Sequence, residues 1–351
     1  MRARACPSRH HRSGGGKQPI ANEDQTLWVI CNGEIYNYLE LRAALENCGH
    51  TFRTASDTEV LLHLYEQKGE AMLNDLDGMF AFAILDENHR RLFLARDPFG
   101  EKPLYWAALP TGGLAFASEM KALLALPALS RDLDVAALAQ FLALRYIPAP
   151  RTHVTSIRKL RAGEAMVVDG RGTRQWRYWR PRFPRPSGLN PTDRMEAIEK
   201  VCELVRESVR VRLRSDVPVG AFLSGGVDST FIVSVIRELL PGTKVRTFCA
   251  CFDSELLNEA PYAKEIAQRI GSEHHELHFS SSDMLSIFDD LIDHYDEPFG
   301  DYSMFPTFAI CAAARRECTV MLSGDGGDEC FGGISLSITT TSGIGFAGRQ
   351  R

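Results

Sequence analysis

No apolar run in the sequence approaches the ~20 residues that cross a bilayer, so a membrane-spanning protein is not expected. Neither charge sign is in large excess: 40 Lys and Arg stand against 45 Asp and Glu, a formal net charge of -5. That balance gives no reason to expect nucleic acid or an anionic membrane as partner. The nine cysteines (Cys6, Cys31, Cys48, Cys202, Cys249, Cys251, Cys311, Cys318, Cys330) contain no C-x-x-C pair and are odd in number. Neither a zinc site nor a disulfide framework is expected from them. Most fall in apolar segments and read as reduced core residues of a cytoplasmic protein. Acids are missing from the start: Arg2, Arg4, Arg9 and Arg12 precede the first acid, Glu23, and Gly14-Gly15-Gly16 closes the stretch. A transit peptide has this composition, but a disordered or non-native head over residues 1–16 is the preferred reading. Residues 334–351 have no hydrophobic period and read as a disordered tail.

What is present suffices for two domains. The 351 residues are 44% hydrophobic and 24% charged, enough for each half to bury a core. In the first half, Thr26 to Cys31 reads as a strand and Tyr38 to Asn47 as an amphipathic helix followed by Gly49. Ser56-Asp57-Thr58-Glu59 has the form of a capping box opening a helix over Val60 to Lys68. Met79 to Leu85 and Arg91 to Ala95 read as a hairpin. Short strands follow at Leu104 to Ala107, Leu114 to Ala117, Glu164 to Val168 and Gln175 to Tyr178. This half is therefore expected to hold mixed, largely antiparallel sheets with helices. The proline-rich stretch 181–191 marks the domain boundary. Beyond it strand and helix alternate. Helices are expected at Arg194 to Arg212, Pro261 to Ile270, Asp283 to Tyr295 and Met304 to Arg316. Strands are expected at Val217 to Phe222, Val245 to Phe252, Glu276 to Phe279 and Thr319 to Leu322. The second half is a parallel α/β sheet, with ligands beyond the C-terminal ends of its strands.

One loop carries a chemical message. Leu223, Ser224, Gly225, Gly226, Val227, Asp228, Ser229 and Thr230 join a buried strand to a helix that ends at Pro241-Gly242. Outward N–H groups and the helix dipole make such a junction a site for an anion, usually phosphate. No lysine is present, so this is not a Walker A loop. The carboxylate of Asp228 beside phosphates requires a divalent cation between them. A second acidic loop, Ser323-Gly324-Asp325-Gly326-Gly327-Asp328-Glu329, follows another strand of the same sheet. Its three acids repel unless neutralised. Asp228 and Asp328 are expected to hold one Mg²⁺ on the phosphates, with Asp325 acting on the activated substrate. Ser323 and Gly324 would join the nucleotide contacts. The strand Val245 to Phe252 would end under an adenine, offering the backbone of Ala250.

The pattern Ser224-Gly225-Gly226-Val227-Asp228-Ser229 resembles the pyrophosphate loop of ATP-pyrophosphatases. Together with Asn258-Glu259-Ala260, His274-His275-Glu276, Asp296-Glu297-Pro298-Phe299 and Ser323 to Glu329, it resembles the synthetase half of glutamine-dependent asparagine synthetases. Asn32-Gly33-Glu34-Ile35-Tyr36-Asn37, Ser56 to Glu59, Leu76 to Phe82, Arg96-Asp97-Pro98-Phe99-Gly100 and Phe116 to Glu119 are similar to the class II glutaminase domain of that family. The resemblance covers about Gln18 to Gly333. It implies an N-terminal nucleophile-type glutaminase domain over 17–180, a linker over 181–191 and an ATP-pyrophosphatase (adenine nucleotide alpha hydrolase-like) domain over 192–333. It implies that aspartate, ATP and ammonia from glutamine yield asparagine through β-aspartyl-AMP, with release of AMP and pyrophosphate. Asn32 and Gly33 would contact glutamine and its oxyanion, and Glu34 and Asp57 its amino end. A homodimer is compatible with the resemblance. Two departures qualify it. The family's N-terminal cysteine has no counterpart, since residue 2 is Arg2 and Cys6 is followed by Pro7. The expectation is that this chain does not hydrolyse glutamine. The family's synthetase domain continues beyond Phe331-Gly332-Gly333, so the chain reads as truncated at both ends. A related amidotransferase acting on another carboxylate, or an inactive fragment, remains an alternative.

Overall fold

The computed structural model describes residues 16–182, 191–215, 217–252 and 258–332. All but the last residue of the head expected over 1–16, most of the proline-rich linker and the tail lie outside the described residues. The chain divides into two compact units. The first comprises Met1–Leu189 and Asp289–Tyr302, and the second Asn190–Phe288 and Ser303–Arg351. Among the described residues, no helix is long and apolar enough to cross a membrane.

The first unit contains β1 (Ile20–Ala21), β2 (Leu27–Ile35), α1 (Tyr38–Asn47), α2 (Val60–Lys68), β3 (Gly78–Asp86), β4 (Arg91–Arg96), β5 (Tyr105–Ala108) and β6 (Leu114–Ala117). It continues with α3 (Met120–Leu124), α4 (Val135–Leu144), β7 (Arg158–Lys159), β8 (Glu164–Asp169) and β9 (Gly172–Arg177). Six strands pair antiparallel in the order β1-β2-β3-β4-β8-β9, and a three-stranded antiparallel sheet runs β6-β5-β7. Side chains alternate across the large sheet with the period of two that strands impose. Phe80, Phe82 and Ile84 of β3 pack with Val29 and Cys31 of β2 and with Leu61 and Leu64 of α2. The intervening Ala81 and Ala83 pack on the other face with Leu92, Leu94, Leu104 and Leu160. Both faces of the sheet are therefore covered.

The second unit contains α5 (Pro191–Arg212), β10 (Val219–Phe222), α6 (Val227–Leu239), β11 (Arg246–Phe252), α7 (Ala260–Ile270), β12 (Glu273–Phe279), α8 (Ser281–Ser286), α9 (Phe288–His294), α10 (Met304–Ala314), β13 (Val320–Leu322) and α11 (Gly327–Phe331). Only the first residue of α9 belongs to it. Its four strands are all parallel, in the order β12-β11-β10-β13. Cys249 and Cys251 of β11 face a core built with Val233 and Ile236 of α6 and Ala263 and Ala267 of α7. Phe248, one residue out of phase, packs on the opposite side with Ile310 and Ala314 of α10. The fold is thus α/β, an antiparallel layered unit followed by a parallel sheet with helices on both faces.

Several expectations need correction. The strand expected to end at Cys31 runs on to Ile35, because Asn32, Gly33 and Glu34 stay in register opposite Ala81, Phe80 and Met79. Gly33 makes this pairing possible: at φ +148°, a Cβ there would overlap the Met79 carbonyl oxygen. Ser56 caps a 3-10 turn over Asp57–Glu59 by accepting from Thr58 N, but Glu59 does not close a capping box. Its carboxylate is drawn instead to the N–H groups of Arg53 and Thr54, each at 2.7 Å. The single helix expected over Asp283 to Tyr295 is two. α8 opens with a capping box formed by Ser280 and Asp283, stops at Ile287, and α9 restarts at Phe288, beside the point where the chain passes between units. Helix α4 is a further element. Its sequence, VAALAQFLAL, is apolar all round and shows no single stripe, and its start is fixed by Asp134 accepting from Ala137 N. Of the cysteines, Cys31, Cys249, Cys251 and Cys318 are buried, whereas Cys48, Cys311 and Cys330 are exposed. Core burial therefore does not explain the latter three.

Candidate functional site

The order β12-β11-β10-β13 reverses direction at β10: β11 lies on one side of it and β13 on the other. At such a switch point the loops after neighbouring strands part and leave a crevice. The loop Leu223 to Gly226 follows β10, and the loop Ser323 to Gly326 follows β13, whose Leu322 pairs with Ala221. The sheet thus brings together the two glycine-rich loops that the sequence singled out. Their contact is tight. A Cβ on Gly324 would lie 2.8 Å from Ser229 N and 3.0 Å from the Asp228 Cβ, and one on Gly327 would fall 2.5 to 2.9 Å from the Asp228 carboxylate. Gly324 requires glycine because its backbone rests against the backbone of Asp228 and Ser229, and a side chain at Gly327 would displace the Asp228 carboxylate.

The first loop is held by its own hydroxyls. Ser224 and Ser229 Oγ lie 3.0 Å apart, Ser224 Oγ accepts from Gly226 N, and Ser229 Oγ accepts from Ser224 N. These hydroxyls shape the loop, and the Gly226 N–H is already engaged. Leu223 is fully buried and donates its N–H to Phe248 O of β11. Thr230 Oγ1 is buried with no hydrogen-bond partner. Gly225 sits at φ +90°, where a Cβ would press on Tyr262 Cβ at 2.8 Å and Ala263 N at 2.9 Å. Contact with the start of α7 was missed in the sequence. The neighbouring Asn258-Glu259-Ala260 motif was its only signal, and there Asn258 Oδ1 accepts from Ala260 N.

Asp228 lies in the first turn of the 13-residue helix α6, where the dipole favours a carboxylate. It is half-buried, as is Asp328 in the first turn of α11, while Asp325 is exposed. Ser323 Oγ donates to Asp325 Oδ2 at 2.9 Å and so orients it. Ala250 lies in β11 opposite Leu277 and is half-buried. Among the described residues, no group of three close His, Cys, Asp or Glu ligand atoms includes Asp228, Asp325 or Asp328. The protein alone does not cage an ion here. Mg²⁺, however, is usually bound by one or two carboxylates together with phosphate oxygens and water. Two half-buried acids, one at a helix N-terminus and the other one residue after a glycine that touches the first, suit that arrangement.

In the first unit, Asn32, Gly33 and Glu34 line the end of β2, and Asp57 reaches it: its Oδ2 accepts from Ile35 N at 2.8 Å. Glu34 and Asp57 are buried at 8% and 4% exposure, so their charges are felt at low dielectric. Burial, reinforced by the charge of Asp57 and opposed by Lys102, pushes the Cys31 thiol well above its usual range. Cys31 is therefore a protonated core residue. Its backbone is clasped by the Gln18 side chain through Cys31 O at 2.9 Å and Cys31 N at 2.7 Å. The Asp296-Glu297-Pro298-Phe299 motif also belongs to this unit. Asp296 accepts from the N–H of Met120, capping α3, and Glu297 pairs with Lys159 at 2.6 Å. Burial nevertheless raises the Glu297 carboxyl above its usual value, against the pull of Lys159 and Tyr105.

The chain matches two known domain types, with residues 289–302 of the first unit falling inside the second match. Residues 8–179 match the glutamine amidotransferase domain family, and residues 200–342 match the asparagine synthase family. An amidotransferase domain joined to an asparagine synthase domain is the class these matches define, and the chain is similar throughout to proteins named asparagine synthetase [glutamine-hydrolyzing]. It is 39% identical over 322 residues to asparagine synthetase [glutamine-hydrolyzing] 1 of Bacillus subtilis (strain 168), an alignment covering 92% of this chain and 50% of that protein. It is 38% identical over 309 residues to a putative asparagine synthetase [glutamine-hydrolyzing] 2 of Methanocaldococcus jannaschii, covering 87% of this chain and 58% of that protein. Identity to asparagine synthetase [glutamine-hydrolyzing] 2 of Oryza sativa subsp. japonica is 36% over 333 residues, covering 91% and 50%. The chain spans about half the length of these relatives.

Proposed function

We propose that this chain carries the machinery for ATP-dependent amidation of aspartate to asparagine, with glutamine or ammonia as nitrogen source. In this reading residues 17–180 form the glutaminase domain and residues 192–333 the synthetase domain. The observation that carries the proposal is the packing of the second loop's backbone against Asp228, which joins an anion-binding helix N-terminus to two further acids. ATP phosphates lie over Leu223, Ser224, Gly225, Gly226, Ser229, Ser323 and Gly324, and the adenine meets the backbone of Ala250. Asp228 and Asp328 would hold Mg²⁺, which would supply neutralisation of the phosphate charge. The aspartate side-chain carboxylate forms the new P–O bond as pyrophosphate leaves. Asp325, exposed and oriented by Ser323, faces the resulting acyl-adenylate and takes the proton when ammonia displaces AMP. In the first unit, Asn32 and Gly33 hold the glutamine amide, and Glu34 and Asp57 attract its amino group. The substrates are small molecules and the compartment is the cytoplasm.

Incubation of the chain with ATP, aspartate and ammonium, followed by mass spectrometry, tests this reading. The expected products are equimolar asparagine and AMP, with pyrophosphate. ADP in place of AMP, or an amide formed only on another carboxylic acid, would refute it.

A further inference from the structure

A second cluster of ionisable groups lies in the first unit, among residues to which the proposed reaction gives no role. Four side chains converge there: Glu23, His50, His63 and Glu66. The His63 Nδ1 lies 2.9 Å from Glu66 Oε2 and 4.0 Å from Glu23 Oε2, and His50 Nδ1 lies 3.3 Å from the same Glu66 oxygen. Ligand atoms of Glu23, His50 and His63 all fall within 4.8 Å of one another. A tetrahedral ion with bonds of about 2.0 to 2.1 Å sets its ligand atoms roughly 3.3 Å apart. The observed separations bracket that value.

The surroundings resemble those of a metal ligand set. The His63 side chain is fully buried, and its other nitrogen, Nε2, makes no hydrogen bond but faces Glu59 Oε1 at 3.8 Å. Glu59 is itself held by the N–H groups of Arg53 and Thr54. Glu59 thus stands behind the ring, on the side where metal-bound histidines find a carboxylate. Asn22 Nδ2 donates to Glu66 Oε1 at 2.8 Å, orienting the carboxylate that bridges the two histidines. The Phe52 and His63 rings pack edge to face with centroids 4.6 Å apart. Exposure rises from His63 at 0% through His50 at 17% and Glu66 at 25% to Glu23 at 40%, which gives an ion a path inward from Glu23. Two imidazoles and two carboxylates form the donor set suited to zinc rather than to magnesium or calcium.

We propose that Glu23, His50, His63 and Glu66 form a structural zinc site that ties the Glu23 turn and the loop after α1 to helix α2. Calorimetric titration of the chelator-treated chain with zinc chloride is expected to give one ion per chain bound through this cluster. The melting temperature rises with it and falls again with EDTA. Cobalt(II) in place of zinc gives the intense visible absorption of a tetrahedral site. The His50→Ala variant, chosen because His50 is partly exposed, retains native circular dichroism and binds zinc at least about 100-fold more weakly. Glu23→Gln, the most exposed ligand, weakens binding in the same direction and guards against misfolding of the first variant. His275→Ala, at a different acid-and-histidine group in the second unit, leaves the affinity unchanged. Absence of zinc uptake, or uptake untouched by both His50→Ala and Glu23→Gln, would overturn the proposal.

Discussion

Asp228 has glycines beside it because nothing larger fits, and that contact makes its role separable from that of Asp325. Asp228 is packed between loops, whereas Asp325 is exposed and accepts from Ser323 of its own turn. Replacing Asp325 with alanine should therefore leave ATP binding and aspartate-dependent exchange of pyrophosphate into ATP nearly intact while abolishing asparagine formation from ammonia. A loss of Mg-ATP binding would make it an ion ligand instead. His274 offers a different test at this scale. Its Nδ1 lies 2.9 Å from Thr247 Oγ1, its Nε2 is buried without a partner, and burial holds its pKa below the usual 6.5. The unfolded chain takes up a proton near 6.5 where the folded chain resists it, so the unfolded state binds more protons as pH falls. The contribution of His274 is present above 6.5 and lost below, toward its depressed folded value. Urea midpoints measured between about pH 7.5 and about pH 5.5 should fall with acid, and fall less steeply in His274→Asn. An unchanged slope in the variant would contradict the assignment. Residue identities in both loops were legible in the sequence because glycine, serine and aspartate at a strand end have few other uses. Tyr262 against Gly225 was not, since the contact joins positions that only the fold makes neighbours.

At the scale of elements, the junction of β10 with α6 depends on the start of α7. Gly225→Ala would place a methyl group on Tyr262 and Ala263 at a positive φ. A loss of about 1 to 3 kcal/mol in urea-unfolding stability is expected, together with weaker Mg-ATP binding. Unchanged stability would mean that the loop relaxes without cost. Strand and helix positions in the second unit were largely readable, because a parallel sheet buried on both faces demands continuous apolar runs between glycine and proline stops. What failed were ends and breaks. Strand β2 outlasts its apolar run because Asn32 and Glu34 keep the ladder, and β12 begins at Glu273, before its apolar residues. The pause at Ile287 between α8 and α9 has no breaker residue, so local sequence carries no sign of it. Glu59 looked like a capping residue because local spacing cannot show that Arg53 and Thr54 offer it better donors.

For the molecule as a whole, the two-part architecture was legible in the change from short alternating strands to alternating strand and helix. The membership of Asp289–Tyr302 in the first unit was not. It rests on contacts such as Glu297 with Lys159 and Gly300 N with Arg145 O, between residues far apart in the chain. The central claim concerns the second unit: two loops at the switch point of one sheet share a single ion on the phosphates of ATP. Calorimetric titration of Mg-ATP into the native chain, Asp228→Asn, Asp328→Asn and the double variant tests it most directly. Each single variant should bind at least about tenfold more weakly, and the double variant should lose less than the sum of the two free-energy changes, as partners on one ion do. Native affinity in either single variant, or strictly additive losses, would contradict it.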